Sequence, residues 1–312
     1  MQVRKLFFYL IILKKVCLLA IYPIFERRGK LFASVRKNIE NYLIFQPSKL
    51  RARRINRTLL KKINPQRFVT SDGVKLYAWF IKPKNNMPVF LHLHGQAESI
   101  LSYQDIANYC IEKGFGLYLL SYRGHYKSCG TPSERGLYKD AQSAILQLKK
   151  LGVEQDKIII WGHSLGTVIA FETAVYNKVM GVIVQSPIKE IKTAAIDVYN
   201  FYCKRLHLDF LARFARKHIM QMHFMQKMDN STKIRAVKCP ILILHSKNDK
   251  VAPYNNSVEL ASQNPLAQLY IADYGSHWDS GWCMEKVFEF ATSLDYTGLG
   301  KSDKVKGEKG KQ

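Results

Sequence analysis

Short apolar runs alternate with longer polar and amphipathic stretches along most of the chain, and this alternation predicts its elements. Val89–Leu93, Phe115–Ser121, Lys157–Trp161, Met180–Gln185, Ile241–His245 and Leu269–Ala272 are each four to seven residues long and largely apolar. That length and character suit strands buried on both faces. The segments between them are long enough for helices, and strands alternating with helices imply a mostly parallel sheet with helices on both faces. Upstream, Phe68–Thr70 and Leu76–Ile81 flank Asp72-Gly73, a hairpin signal, and read as antiparallel opening strands. About eight strands fit a chain of 312 residues, which makes this an α/β domain with appendages. Residues 1–67 carry no alternating strand pattern. The chain therefore divides into an N-terminal region (1–67), an α/β domain (68–297) and a low-complexity Lys/Gly tail (298–312) expected to be disordered. Within the domain, 188–233 exceeds what a strand crossover needs. It is rich in aromatic residues and Met, including Phe201, Phe210, Phe214, Met220, Met225 and Met228, which form adaptable apolar surfaces.

Candidate chemistry is concentrated where strands end. Gly162-His163-Ser164-Leu165-Gly166 follows the apolar run Lys157–Trp161 and precedes a helical stretch from Thr167 to Tyr176. A Gly-x-Ser-x-Gly in that setting is a nucleophile elbow, a tight turn that lifts a serine hydroxyl clear of the sheet. Serine needs a base, and the base an orienting acid. In chain order serine, acid, histidine, the acid is Asp249, in the loop after strand Ile241–His245, and the base is His277, after the last strand. Asp273 and Asp279 are too close to His277 in sequence to come from a separate strand. His94 and His163 belong to turns in which the backbone matters more than the ring. Oxyanion donors are expected from the backbone N–H groups of Gln96, after the Leu93-His94-Gly95 turn, and of Leu165, after the nucleophile. As main-chain donors they place no demand on the Gln96 side chain. No metal-ligand spacing occurs, and no cofactor is expected.

The elbow, the Leu93–Gln96 turn, Ser121-Tyr122-Arg123-Gly124, Asp249–Pro253 and Gly275–His277 occur in the order found in the α/β-hydrolase superfamily. Over roughly residues 68–292 the chain resembles its membrane-associated abhydrolase-domain serine hydrolases, the acyl-protein thioesterase-like group. The resemblance implies an α/β-hydrolase fold with a helical cap at about 188–233. It also implies a Ser164–His277–Asp249 triad that cleaves carboxylic esters or thioesters of acyl chains through an acyl-enzyme. The chain departs from the pattern at Ser121, where many relatives have Asp, and at Gln96, where many have a small residue or Asn; both sit at the expected acyl-binding end and bear on substrate. A serine peptidase on the same fold and a non-catalytic binding protein are the alternatives. The fold hosts many chemistries, so substrate does not follow from it.

Charge separates the appendages from the domain. Of 48 Lys and Arg in the chain, 17 lie in residues 1–67 against only Glu26 and Glu40. The same region holds the apolar run at about residues 6–25, broken by Lys14 and Lys15. It is long enough to span a bilayer, although each lysine near its centre costs on the order of 2.5–3.5 kcal/mol. A spanning anchor, an interfacial helix and a cleaved signal are the three readings. In the first two, the following basic stretch lies against an anionic membrane surface, at roughly 1 kcal/mol per residue, with the catalytic domain in the cytoplasm. Nucleic acid is the weaker partner, because the basic residues accompany an apolar run rather than a reader module. The six cysteines are scattered, as buried thiols of a reducing compartment would be.

Overall fold

In the computed structural model, which describes residues 33–47, 55–205, 219 and 223–302, the apolar runs form one eight-stranded sheet. Its strands are β1 (Asn64–Val69), β2 (Lys75–Ile81), β3 (Val89–Leu93), β4 (Gly116–Ser121), β5 (Ile158–His163), β6 (Gly181–Gln185), β7 (Ile241–Ser246) and β8 (Ala267–Ala272). They lie in the order β1-β2-β4-β3-β5-β6-β7-β8. The β1–β2 and β2–β4 pairs are antiparallel and all others parallel. β1 begins at Asn64, earlier than the Phe68–Thr70 run. Four of its six residues are exposed, only Gln66 is buried and Phe68 is half-buried, and a sheet edge does not require an apolar run.

The central strands are apolar at nearly every position because each feeds two cores. Ile158 and Ile160 of β5 enter one core, Ile159 and Trp161 the other. The same alternation, the period of two of a pleated strand, splits Ile241 and Ile243 from Leu242 and Leu244 in β7. Among the described residues, the helices longer than two turns are α1 (Ala33–Phe45), α2 (Gln104–Lys113), α3 (Glu134–Lys150), α4 (Gly166–Val175), α5 (Ile191–Arg205) and α6 (Met284–Ser302). Leu137, Ala141, Ala144 and Leu148 of α3, with Val168 to Phe171 of α4, cover one face. Ile106, Ala107 and Cys110 of α2, with Val287, Phe288, Phe290 and Ala291 of α6, cover the other.

The N-terminal helix α1 shares the first of these cores. Ile44 and Phe45 are buried in it, Phe45 completely, and the buried Glu40 carboxylate accepts the backbone N–H groups of Met225 (2.9 Å) and Gln226 (2.6 Å). Part of the basic N-terminal region is thus packed against the sheet domain. The apolar run at residues 6–25 and the basic cluster at 48–54 lie outside the described residues, as do 303–312 of the tail; α6 extends to Ser302. No described helix is long and apolar enough to cross a membrane. Between β6 and β7, α5 is described, whereas 206–218 and 220–222 are not. Cys110, Cys203 and Cys283 are buried thiols, but Cys129 is exposed.

One buried ion pair fastens the β1–β2 turn to α3. Arg123 donates from its backbone N–H and its Nε to Asp140, both at 2.8 Å, and its guanidinium reaches both carboxylate oxygens of Asp72 at 3.0 Å. Asp140 is fully buried. Removing one partner of such a pair strands the other charge, at a cost of about 3–5 kcal/mol. Asp140→Asn is expected to lower the unfolding free energy by about 3 kcal/mol, read as a lower urea midpoint at an unchanged denaturant slope.

Candidate active site

Parallel strands point their carboxyl ends one way, so the loops after β3, β5, β7 and β8 meet at one edge, where open α/β sheets build their sites. After β5 the chain turns sharply. Ser164 has φ +50°, and its N–H donates to the Gln185 carbonyl at 2.9 Å. The flanking glycines are a steric requirement. A Cβ on Gly162 would lie 2.6 Å from the Gly166 carbonyl oxygen, and one on Gly166 would lie 2.0 Å from that of Leu93. The start of α4 thus rests directly on the end of β3, and the serine alone absorbs the left-handed backbone conformation.

Ser164, His277 and Asp249 come together in this corner. The His277 Nε2 lies 3.1 Å from the Ser164 Oγ, and its Nδ1 lies 2.7 Å from the Asp249 Oδ2. A carboxylate can only accept, so Nδ1 carries the proton and Nε2 accepts from the serine hydroxyl. Asp249 also accepts the backbone N–H groups of Val251 (2.8 Å) and Ala252 (2.9 Å), and its Oδ2 lies 3.3 Å from the His245 Nε2. Burial alone would raise its pKa, but the hydrogen bonds from His245 and His277 prevail and hold it well below the usual carboxylate range. His277 is 4% exposed. Burial lowers its pKa below the ordinary imidazole value, against the opposing pull of Asp249. The rival acids lie elsewhere: Asp273 is exposed and pairs with Lys247 at 2.7 Å, and Asp279 lines an adjoining groove.

A cavity of about 110 Å³ opens over Ser164, with Gln46, Gln96, Val198, Phe201 and Trp278 among its walls. Gln96 and Leu165, the expected oxyanion donors, flank Ser164, and neither backbone N–H has an acceptor among the described residues. A Cβ on Gly95 would lie 3.3 Å from that of Ser164, so the loop after β3 runs tightly past the serine. A groove of about 940 Å³ shares Gln96, Ala97, Glu98 and Trp278 with this cavity and continues past Asp105, Tyr109, Glu112 and Asp279.

Three expectations from the sequence are corrected. The Gln96 side chain is in demand: its Nε2 donates to the carbonyls of Leu43 (2.8 Å) and Ile44 (2.6 Å) at the C-terminal end of α1, where intrahelical donors run out. The His163 ring is equally committed, to Glu98 (3.0 Å) and to the His277 carbonyl (2.7 Å). Both partnerships join residues far apart in sequence, so no local motif reports them. Ser121 is fully buried and bonds within its own loop to the His125 carbonyl, away from the cavity.

The comparisons with known proteins bear on the family and the fold. The family model described as "Serine aminopeptidase, S33" matches residues 84–233. The chain is 27% identical over 254 residues to the alpha/beta hydrolase domain-containing protein WAV2 of Arabidopsis thaliana, covering 78% of this chain and 80% of that protein. It is 29% identical over 184 residues to the rat lysophosphatidylserine lipase ABHD12, covering 55% of this chain and 44% of that protein. A Pyrococcus furiosus esterase shares the fold with a TM-score of 0.64 at 17% identity, over 81% of this chain and 96% of that one. The chain has the α/β-hydrolase fold and is similar over most of its length to proteins of that superfamily.

Gln96→Ala deletes the two bonds to α1, each worth about 0.5–1.5 kcal/mol. The expected result is faster amide hydrogen exchange in Leu43–Phe45 and in the Gly95–Glu98 loop, with the sheet unchanged. Equal exchange in both proteins would show that this link carries no strain.

Proposed function

We propose that this protein is a serine hydrolase that cleaves carboxylic esters or thioesters through an acyl-enzyme on Ser164. The observation that carries this reading is the relay of Ser164 Oγ, His277 and Asp249 at 3.1 and 2.7 Å. His277 takes the serine proton as Oγ attacks the acyl carbonyl, and Asp249 holds the ring in the required tautomer and stabilises the imidazolium that forms. The free N–H groups of Gln96 and Leu165 are the oxyanion donors, available without reorganisation as charge builds on the carbonyl oxygen. His277 then returns the proton to the leaving group, and water reverses the sequence. The exposed Trp278 and the α5 residues Val198 and Phe201 give the cavity apolar walls suited to an acyl group. The esterase and lipase names among its relatives support the same chemistry.

One observation favours a peptidase as a second reading. Asp105, Glu112 and Asp279 line the adjoining groove, and carboxylates there could hold a substrate amine. Turnover of aminoacyl p-nitroanilides faster than of p-nitrophenyl esters would select it.

Ser164→Ala is expected to abolish both fluorophosphonate labelling and p-nitrophenyl ester hydrolysis. Asp249→Asn is expected to slow turnover about 10⁴-fold with the fold intact, through the wrong tautomer. Labelling that persists in Ser164→Ala would remove the proposal. Because burial lowers the His277 pKa, the base stays unprotonated further into acid than a free imidazole. The acid limb of kcat/KM should therefore lie below about pH 6.5.

Membrane association belongs to the same proposal. The apolar run at 6–25 and the basic residues after it would act as one hydrophobic and one electrostatic signal, with the hydrolase domain on the cytoplasmic face. The full chain should pellet with membranes and resist high salt, which screens only the charged part. Removing residues 1–30 should release an active hydrolase. Removing 1–65 should cost activity as well, because α1 and Gln46 go with it. A full chain that stays in the supernatant at physiological salt would overturn the anchor.

A further inference from the structure

Four loops build the site, and one largely buried pair of side chains touches three of them, those after β3, β5 and β8. Glu98 belongs to the loop after β3, where its Oε2 accepts the Gly95 N–H at 2.8 Å. The same oxygen accepts from the Tyr103 hydroxyl and from the His163 Nδ1, the latter at 3.0 Å. His163 immediately precedes Ser164 in the elbow and is 2% exposed. Its Nε2 lies 2.7 Å from the His277 carbonyl oxygen, in the loop after β8.

Hydrogen-bond accounting fixes the protonation of the ring. A main-chain carbonyl only accepts, so Nε2 carries a proton. Nδ1 lies 3.0 Å from the Glu98 carboxylate and 3.2 Å from the Tyr103 hydroxyl, whose own proton goes to Glu98; a carboxylate only accepts, so Nδ1 carries a proton too. The ring is an imidazolium and Glu98 its carboxylate. Burial works against both charges, yet each stabilises the other: the His163 pKa is raised, and that of Glu98 falls to about 2. The titratable groups around His163 are Glu98, Tyr103, His92, His94, His277 and Asp249. The His277 and His163 ring centroids are 5.2 Å apart.

We infer that Glu98 and His163 are positioning residues: the His163 Nε2–H clamps the main chain of His277 while Asp249 holds its ring, and Glu98 locks the Gly95–Gln96 turn in the same network. The inference rests on the triad reading above. A hydrogen bond to its main chain and one to its ring leave His277 little freedom to swing away from Ser164. The nearby positive charge also disfavours a protonated resting base.

The test compares the native enzyme with His163→Phe, His163→Gln and Glu98→Gln, using p-nitrophenyl butyrate and a fluorophosphonate. His163→Phe removes the clamp and is expected to lower kcat about 10²-fold, since small misplacements of reacting groups cost that much, with KM changed by less than about threefold. His163→Gln keeps an amide N–H for the His277 carbonyl and should recover part of the loss. In both, the acid limb should move up in pH, because the neighbouring cation is gone; a merely structural residue would not shift it. Glu98→Gln should slow phosphonate labelling of Ser164. Should His163→Phe fail to fold, ¹⁵N imidazole spectra of the native protein decide the matter. Two protonated ring nitrogens on His163 above the ordinary imidazole pKa support the pair, and one bare nitrogen overturns it. A folded His163→Phe with native kcat and an unmoved acid limb also overturns it, while leaving the triad intact. Absence of Ser164 labelling in the native enzyme would instead remove the triad reading itself.

Discussion

The contact on which this site depends is between two backbones. α4 begins so close to the end of β3 that the Gly166 Cα faces the Leu93 carbonyl with no space for a side chain. That approach is possible only because Gly162, on β5, also leaves its inner side open to the first turn of α4. With strand and helix pinned this tightly, the residue between them cannot relax. Ser164 sits at φ +50° and presents its hydroxyl over the sheet edge. Strain of this kind costs of order 1–3 kcal/mol and persists only where the surroundings over-determine it. Here the Ser164 N–H bonded to β6, the glycine contacts and the buried first turn of α4 do so.

Around that fixed point the site is polar and almost dry. Asp249 and His163 have essentially no exposed side-chain surface, and Glu98 has 15%. Buried charges of this kind are tolerable only when paired and fully hydrogen-bonded. Two carboxylates solve the problem in the same way: Glu98 accepts one backbone N–H and Asp249 two from their own loops, and each meets a histidine from another. The outcome for the two histidines differs. His163 faces acceptors on both sides and holds both protons. His277 faces an acceptor on one side and a hydroxyl on the other, and it is free to take a proton. Neighbouring imidazoles acquire opposite tasks from the partners around them.

Much of this was legible in the sequence, because the informative signals were local. Six runs became β3 to β8 with boundaries shifted by at most a few residues, since a strand buried on both faces has no polar position to obscure it. Ser164, Asp249 and His277 were legible as loop residues immediately after strands, and in a parallel sheet such loops converge. What escaped was non-local. The partners of Gln96 lie 52 and 53 residues away, and the His163 ring joins Glu98 to His277 across 65 and 114 residues. α1 was hidden for a different reason. It mixes polar and apolar residues without a strand-like run, and it buries chiefly Ile39, Glu40, Asn41, Ile44 and Phe45. Its docking depends on a carboxylate and on its own C-terminal carbonyls, which no hydrophobic pattern records.

That docking changes how the two halves of the chain relate. The basic excess suggests an appendage that tethers an independent domain, but the end of α1 forms part of the site. Its last carbonyls bind the side chain of Gln96, the residue whose backbone N–H is a proposed oxyanion donor. Gln46, one residue beyond α1 and itself at φ +42°, walls the cavity over Ser164. Glu40, in the middle of the helix, bonds Met225 and Gln226 on the far side of the β6–β7 insertion. One short helix therefore contacts the oxyanion loop, the cavity wall and the inserted segment together. In the proposed membrane-bound form, any displacement of α1 acts on all three, which couples anchoring to the shape of the proposed acyl site.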